Sequence, residues 1–223
     1  MKNAISICGY KGSGKTWLIL RILEHLKNQG YRVAVLKSSH IEEVLTDKQD
    51  SDTWKYREAG VEGVLLFQKS LFTLYLSPEN TDLPYILEGI LWNFDLILCE
   101  GLKGFDLISK LWILKDPNEL KEILPKLKNL LGIIVKEKNE IEKLKDSYPW
   151  LEFFYIEDVE EIAKFITNRI MEKDEVKLLV NRKKIGLKPF IKEFLKVPFI
   201  DMVKLLKNVP QEIKEIEFKI KIK

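Results

Sequence analysis

Cysteine and histidine are scarce in this chain, at two residues each, and arginine occurs only five times. Two cysteines, Cys8 and Cys99, make neither a disulfide framework nor a Cys-x-x-Cys metal or redox pair. Both close apolar, strand-like runs and read as buried thiols in a reduced, cytoplasmic compartment. With His40 the one histidine near a candidate loop, a transition-metal carrier is not written here. No apolar stretch approaches the ~20 residues of a bilayer span, and Met1 to Ser6 lacks the layout of a signal peptide. A formal net charge of +3 is too small to point to nucleic acid or an anionic membrane as partner. There is no arginine cluster of the kind that closes over a transferred phosphate, and no N-K-x-D run of the usual GTPases.

What is present is a 223-residue chain, 46% hydrophobic and 32% charged, which suits one large globular domain or one domain plus a small one. Its most informative run is Gly9-Tyr10-Lys11-Gly12-Ser13-Gly14-Lys15-Thr16, a match to G-x-x-x-x-G-K-[ST], the phosphate-binding loop. Ala4 to Cys8 before it reads as a buried strand. Thr16 to Asn28 after it carries Leu18, Ile19, Ile22, Leu23 and Leu26 at helical spacing, closed by Gly30. The glycines allow successive N–H groups to point at one anion, and the helix N-terminus adds its dipole. Gly9, Gly12, Ser13 and Gly14 would cradle phosphates, Lys15 would reach the β- and γ-phosphates, and the Thr16 hydroxyl would hold Mg²⁺. A Gly-rich structural turn is the competing reading.

Strand and helix signals then alternate. Tyr31 to Lys37 is a second strand, followed by a polar loop from Ser38 to Ser51 and a short helix from Asp52 to Ala59. Val64 to Gln68 and Phe72 to Leu76 read as strands, Leu83 to Trp92 as a helix, and Asp95 to Cys99 as a central strand with Glu100-Gly101 at its carboxyl end. Leu111 to Leu114, Leu130 to Val135 and Leu151 to Ile156 are further strands, with helices at Asn118 to Leu127, Glu140 to Asp146 and Val159 to Ile170. The pattern predicts an α/β fold of the P-loop NTPase type, a mostly parallel sheet covered by helices on both faces, with ligands at the strands' carboxyl ends. The charged run Glu172 to Glu175 separates residues 1–172, the nucleotide-binding domain, from residues 173–223, a small α+β unit. That unit shows a hairpin around Asn181 to Lys184, a helix from Pro189 broken near Pro198, and a tail alternating through Ile216, Phe218, Ile220 and Ile222. So small a unit has little core of its own, and pairing between two chains is the favoured role.

Beyond the loop, Glu100 stands where nucleotide-binding folds put an acid near Mg²⁺, against the reading of a solvated strand-end carboxylate. Lys103 faces either a phosphate or solvent. Asp47, Asp50 and Asp52 are either oxygen donors for a cation or ordinary helix-start acids. Arg57 reaches a phosphate or pairs with a neighbouring acid. No second pocket with a matched acid and base is evident, so the residues describe a nucleotide holder more clearly than a catalyst.

Four blocks taken together, GYKGSGKT, YRVAVLKSSH, D-x4-D-T-x5-AG from Asp47 to Gly60, and DLILCEGLK from Asp95 to Lys103, resemble the molybdopterin-guanine dinucleotide biosynthesis adapter family, MobB. The likeness covers residues 1 to about 115, and VNRKKIGLKPF resembles a C-terminal extension of some members. It implies GTP with Mg²⁺ as ligand, and an adapter role beside a molybdenum cofactor guanylyltransferase that attaches GMP to molybdopterin. At most weak GTPase activity is expected, and a homodimer, with no nucleic acid or membrane as partner. Carried over, Gly12, Ser13, Gly14, Lys15 and Thr16 match the phosphate loop, Asp52 and Thr53 a mid-loop pair, and Glu100, Gly101 and Lys103 the strand-end motif. Thr16 and Glu100 are the expected metal ligands. The chain departs from the family in Ser38 and Ser39, which stand before a solitary His40, in Gln49-Asp50 in place of Pro-Gly, and in Trp17 in place of a second threonine. A small-molecule kinase or NTPase using the same loop is the alternative function.

Overall fold

The computed structural model describes residues 3–39, 46–77, 82–91, 93–170, 178–180 and 183–209, together with residues 176 and 216. His40, the charged run 172–175 and, Ile216 apart, the alternating tail lie outside the described residues. Two compact units divide the chain, Met1–Glu172 and Lys173–Lys223.

The first unit is built on a six-stranded parallel sheet in the order β2-β5-β1-β6-β7-β8. Its strands are β1 Ala4–Gly9, β2 Val33–Lys37, β5 Leu96–Glu100, β6 Ser109–Ile113, β7 Leu130–Val135 and β8 Glu152–Tyr155. A strand paired on both edges and covered on both faces needs apolar side chains in both directions, and β1 is buried from Ala4 to Cys8. Its pleat divides the core. Ile5 and Ile7 join Leu18, Ile19, Ile22 and Leu26 of helix α1 Lys15–Asn28 and Ile162, Ala163, Ile166 and Ile170 of α6 Val159–Ile170. On the opposite face, Cys8 and Trp112 pack with Leu120 and Ile123 of α4 Glu119–Ile123 and with Leu144 of α5 Glu140–Ser147. Each fully buried Leu or Ile contributes roughly 1.5–3 kcal/mol, so α1 is pinned by its buried stripe of four.

Between β2 and β5 the chain forms α2 Asp52–Glu58 and a separate antiparallel hairpin, β3 Gly63–Phe67 with β4 Phe72–Leu76. The expected helix over Leu83 to Trp92 is one α-turn, α3 Leu83–Tyr85, continued by a π-helical turn Ile86–Ile90. A Cβ at Gly89 would stand 3.0 Å from the Tyr85 ring, so glycine lets the ring lie against this widened turn. Strand β6 begins at Ser109, earlier than its apolar run suggests, because Lys110 is fully buried within it. The Lys110 ammonium donates to the carbonyls of Phe105 at 2.7 Å, Ile108 at 3.0 Å and Lys128 at 3.0 Å. All three donors are thereby used, and burial holds the pKa below the ordinary lysine value.

In the second unit β9 Leu178–Val180 pairs antiparallel with β10 Lys183–Ile185, a tighter hairpin than its sequence suggests. Helix α7 runs Pro189–Lys204 and continues through Pro198, where a break was expected. One missing N–H is tolerated because helix-forming residues on either side carry the hydrogen-bond ladder onward.

Candidate functional site

The carboxyl ends of β1, β2 and β5 meet at one edge of the sheet. There the loop from Gly9 to Gly14 turns from β1 into α1, and its path depends on residues that lack a side chain. A Cβ at Gly9, where φ is +149°, would sit 2.5 Å from Ser13 Oγ and 2.8 Å from the Ile113 carbonyl, closer than real atoms approach. Gly14 caps α1 in the left-handed region at φ 103°. Ser13 is fully buried at the bend, and its hydroxyl has no hydrogen-bond partner among the described residues. A buried unpaired hydroxyl in a loop of this shape fits a site that a polar ligand completes.

Lys15 folds back over the loop, its ammonium donating to the carbonyls of Gly9 at 3.0 Å and Tyr10 at 2.9 Å. Thr16, one residue on, donates its hydroxyl to Glu100 Oε1 at 2.9 Å. Glu100 ends β5, and its carboxylate is also 3.6 Å from the Lys37 ammonium at the end of β2. Gly101 follows at φ 94°, its N–H donating to the Ile7 carbonyl at 3.1 Å and its carbonyl accepting from Ser6 Oγ and Cys8 Sγ. Those contacts fix the Glu100-Gly101 turn against β1. Burial pushes the Cys99 thiol up to about 12, and Cys8 is raised for the same reason, so both remain protonated at neutral pH.

A cavity of about 400 Å³ opens over this edge, lined by Lys11, Gly12, Gly14, Lys15, Thr16, Trp17 and Glu100. Backbone donors, two lysines, a hydroxyl and a carboxylate form a donor set suited to a polyphosphate and a hard divalent ion. Among the described residues there is no cluster of three His, Cys, Asp or Glu side chains, so an ion here would lean on Thr16, Glu100 and oxygens of its ligand.

Other candidates lie elsewhere. Asp52 is exposed and pairs with Lys55 at 3.8 Å, while Thr53 donates to Asp47 Oδ1 at 3.0 Å. Ser51 also donates to Asp47 Oδ1, at 3.1 Å, and caps the N-terminus of α2, with Arg57 3.9 Å from the other Asp47 oxygen. The D-x4-D-T block thus shapes the entry to α2, and neither Asp52 nor Thr53 lines the cavity. Lys103 lines a different cleft, with Tyr10 and Trp112. Asp50 is exposed in a left-handed turn at φ 64°. Three further residues stand at or beside the cavity, of which only Lys115 escaped the sequence reading. Lys37 is set beside Glu100 by β2–β5 pairing, Trp17 forms a wall of the cavity, and Lys115 Nζ would lie 3.8 Å from a Cβ on Gly12. A lysine ending an apolar strand was the available signal for Lys37.

Among known proteins, the model of the family described as molybdopterin guanine dinucleotide synthesis protein B (MobB) matches residues 4–136. A Haemophilus influenzae protein named molybdopterin-guanine dinucleotide biosynthesis adapter protein is 30% identical over 167 residues, which span 74% of this chain and 87% of that one. A crystal structure of molybdopterin-guanine biosynthesis protein B, at 27% identity, superposes with a TM-score of 0.56 over 76% of this chain and 99% of its own. The Bacillus subtilis MobB crystal structure, 24% identical, shares the fold with a TM-score of 0.59 over 75% of this chain and 98% of its own.

Proposed function

This chain belongs to the MobB family, and on that premise we propose that it is a GTP- and Mg²⁺-binding adapter in molybdenum cofactor biosynthesis. It assists a guanylyltransferase that joins GMP to molybdopterin, and it acts in the cytoplasm as a homodimer. The observation that carries the nucleotide site is the meeting of Lys15, Thr16 and Glu100 at the mouth of one cavity. Lys15 exchanges the Gly9 and Tyr10 carbonyls for phosphate oxygens, and the loop N–H groups take the rest of the polyphosphate charge. Thr16 and Glu100 would hold Mg²⁺, which neutralises the phosphates when bound.

GTP preference rests on family membership. Calorimetric titration of GTP and ATP, each with and without Mg²⁺, tests the reading. A preference for Mg²⁺-GTP is expected, with slow single-turnover phosphate release by the protein alone and faster dinucleotide formation when it is added to the transferase. Equal affinity for ATP, or rapid phosphate transfer to a small acceptor, would overturn it.

A further inference from the structure

A nucleoside triphosphate is a polyphosphate joined to a sugar and a base, and most of the phosphate cavity answers only to the first part. The loop backbone, Lys11 and Lys15 suit phosphate oxygens, and Thr16 and Glu100 suit a cation. Trp17 has neither use. Among the described lining residues it alone carries an aromatic ring. It is 43% exposed and belongs to none of the buried clusters that hold the helices on the sheet.

A lone aromatic residue on an exposed helix face is ordinary surface. Trp17 differs in its position. It lies in the first turn of α1, directly after Lys15 and Thr16. Side chains on a helix lean toward its N-terminus, so an indole here extends toward the loop. Its place in the lining beside Lys11 and Gly12 agrees with that lean. Arg21, one turn further on, sets its guanidinium carbon over the indole, 5.8 Å from the ring centroid, and pairs with Glu24 at 3.3 Å. A cation over the ring face is attracted to it and restricts how the ring turns. Tyr10, the aromatic residue of the loop itself, meets Trp112 edge to face at 5.4 Å and does not line this cavity. In a bound nucleotide the α-phosphate and the sugar separate the base from the β- and γ-phosphates. The base therefore belongs at the rim, beside an exposed side chain such as Trp17.

We propose that Trp17 is the platform on which the base of the bound nucleotide stacks, with Arg21 as the residue that positions it. The inference rests on the nucleotide reading of the loop and is independent of guanine, because every base has a π-face and stacking tolerates them all. Trp17 thus adds affinity for the nucleoside, whereas Lys15 and the loop act on the phosphates.

The test compares Mg²⁺-GTP with Mg²⁺-tripolyphosphate, a phosphate chain without sugar or base, by calorimetry on the full chain. Trp17→Ala is expected to weaken GTP about tenfold or more, the scale of a lost base–aromatic stack, and to leave tripolyphosphate within about twofold. Trp17→Phe keeps a π-face and should retain most of the GTP affinity. Indole fluorescence gives a second readout. GTP should change the emission of the parent more than tripolyphosphate does, and Trp17→Phe should abolish that difference. Retained tripolyphosphate binding also reports that each variant is folded. Equal losses for the two ligands, or GTP binding that Trp17→Ala leaves unchanged, would overturn the platform while the loop reading stands. Lys15→Ala should weaken both ligands; if it weakens neither, the loop reading fails and the platform falls with it.

Discussion

Lys15 and Thr16 carry separable roles on the proposed reading. Lys15→Ala should weaken triphosphate binding about 100-fold or more, the loss of roughly 3 kcal/mol of charge-assisted hydrogen bonding; unchanged affinity by calorimetry would refute the site. Thr16→Ala should lower affinity with Mg²⁺ much more than without it, and equal losses would remove its metal role. Cys99 gives a pH signature. Its folded pKa, raised to about 12 from an ordinary value of 9, means that the folded state holds the proton more tightly than the unfolded one. That stabilisation is complete below pH 9 and is lost as pH rises toward 12. Thermal melts of Cys99→Ala should therefore fall less steeply than the parent across this alkaline window, and parallel curves would exclude the thiol as the cause. Gly9 through Thr16 and Glu100 were legible because one-dimensional spacing sets their geometry. Lys37 was legible as a strand end on the same edge, but its ion pair with Glu100 was not, since that follows from β2 pairing with β5, strands that lie far apart in the chain.

At the level of elements, Lys110 shows how a polar residue can belong to a core. Its strand was readable from Leu111 onward, but its start was hidden by a charge that periodicity assigns to solvent. Three carbonyls converging on the ammonium reverse that assignment. Lys110→Met keeps the bulk and leaves buried acceptors unpaired, so it should cost about 2–4 kcal/mol in chemical denaturation. A change below about 0.5 kcal/mol, the scale of ordinary surface substitutions, would show that water replaces the ammonium without loss. The π-helical turn after Tyr85 and the passage of α7 through Pro198 were likewise illegible, because each depends on local accommodation that a hydrophobic pattern does not encode. The alternation of strands and helices was legible throughout the first unit, since α1 and α6 keep clean apolar stripes.

For the whole molecule, the β3–β4 hairpin bears most directly on the proposed homodimer. Among the described residues its two strands pair only with each other, and it exposes Leu65, Phe67, Leu71, Phe72 and Leu74. Isolated hairpins are marginal in water, and contiguous apolar exposure of this kind suits the surface that the proposed dimer would cover. Phe67 and Phe72 meet across the strands, ring centroids 4.9 Å apart and planes tilted by 32°. Replacing both with aspartate should convert a dimer to a monomer in light scattering while nucleotide affinity is kept; a dimer that survives would return the interface to the second unit, where the sequence reading had put it. The Glu100 carboxylate has a consequence for both its neighbours. One oxygen, Oε1, both accepts from the Thr16 hydroxyl at 2.9 Å and lies 3.6 Å from the Lys37 ammonium. A cation held at that oxygen would compete with the Lys37 ammonium for it, so one atom on the strand end carries both the hydroxyl contact and the ion pair.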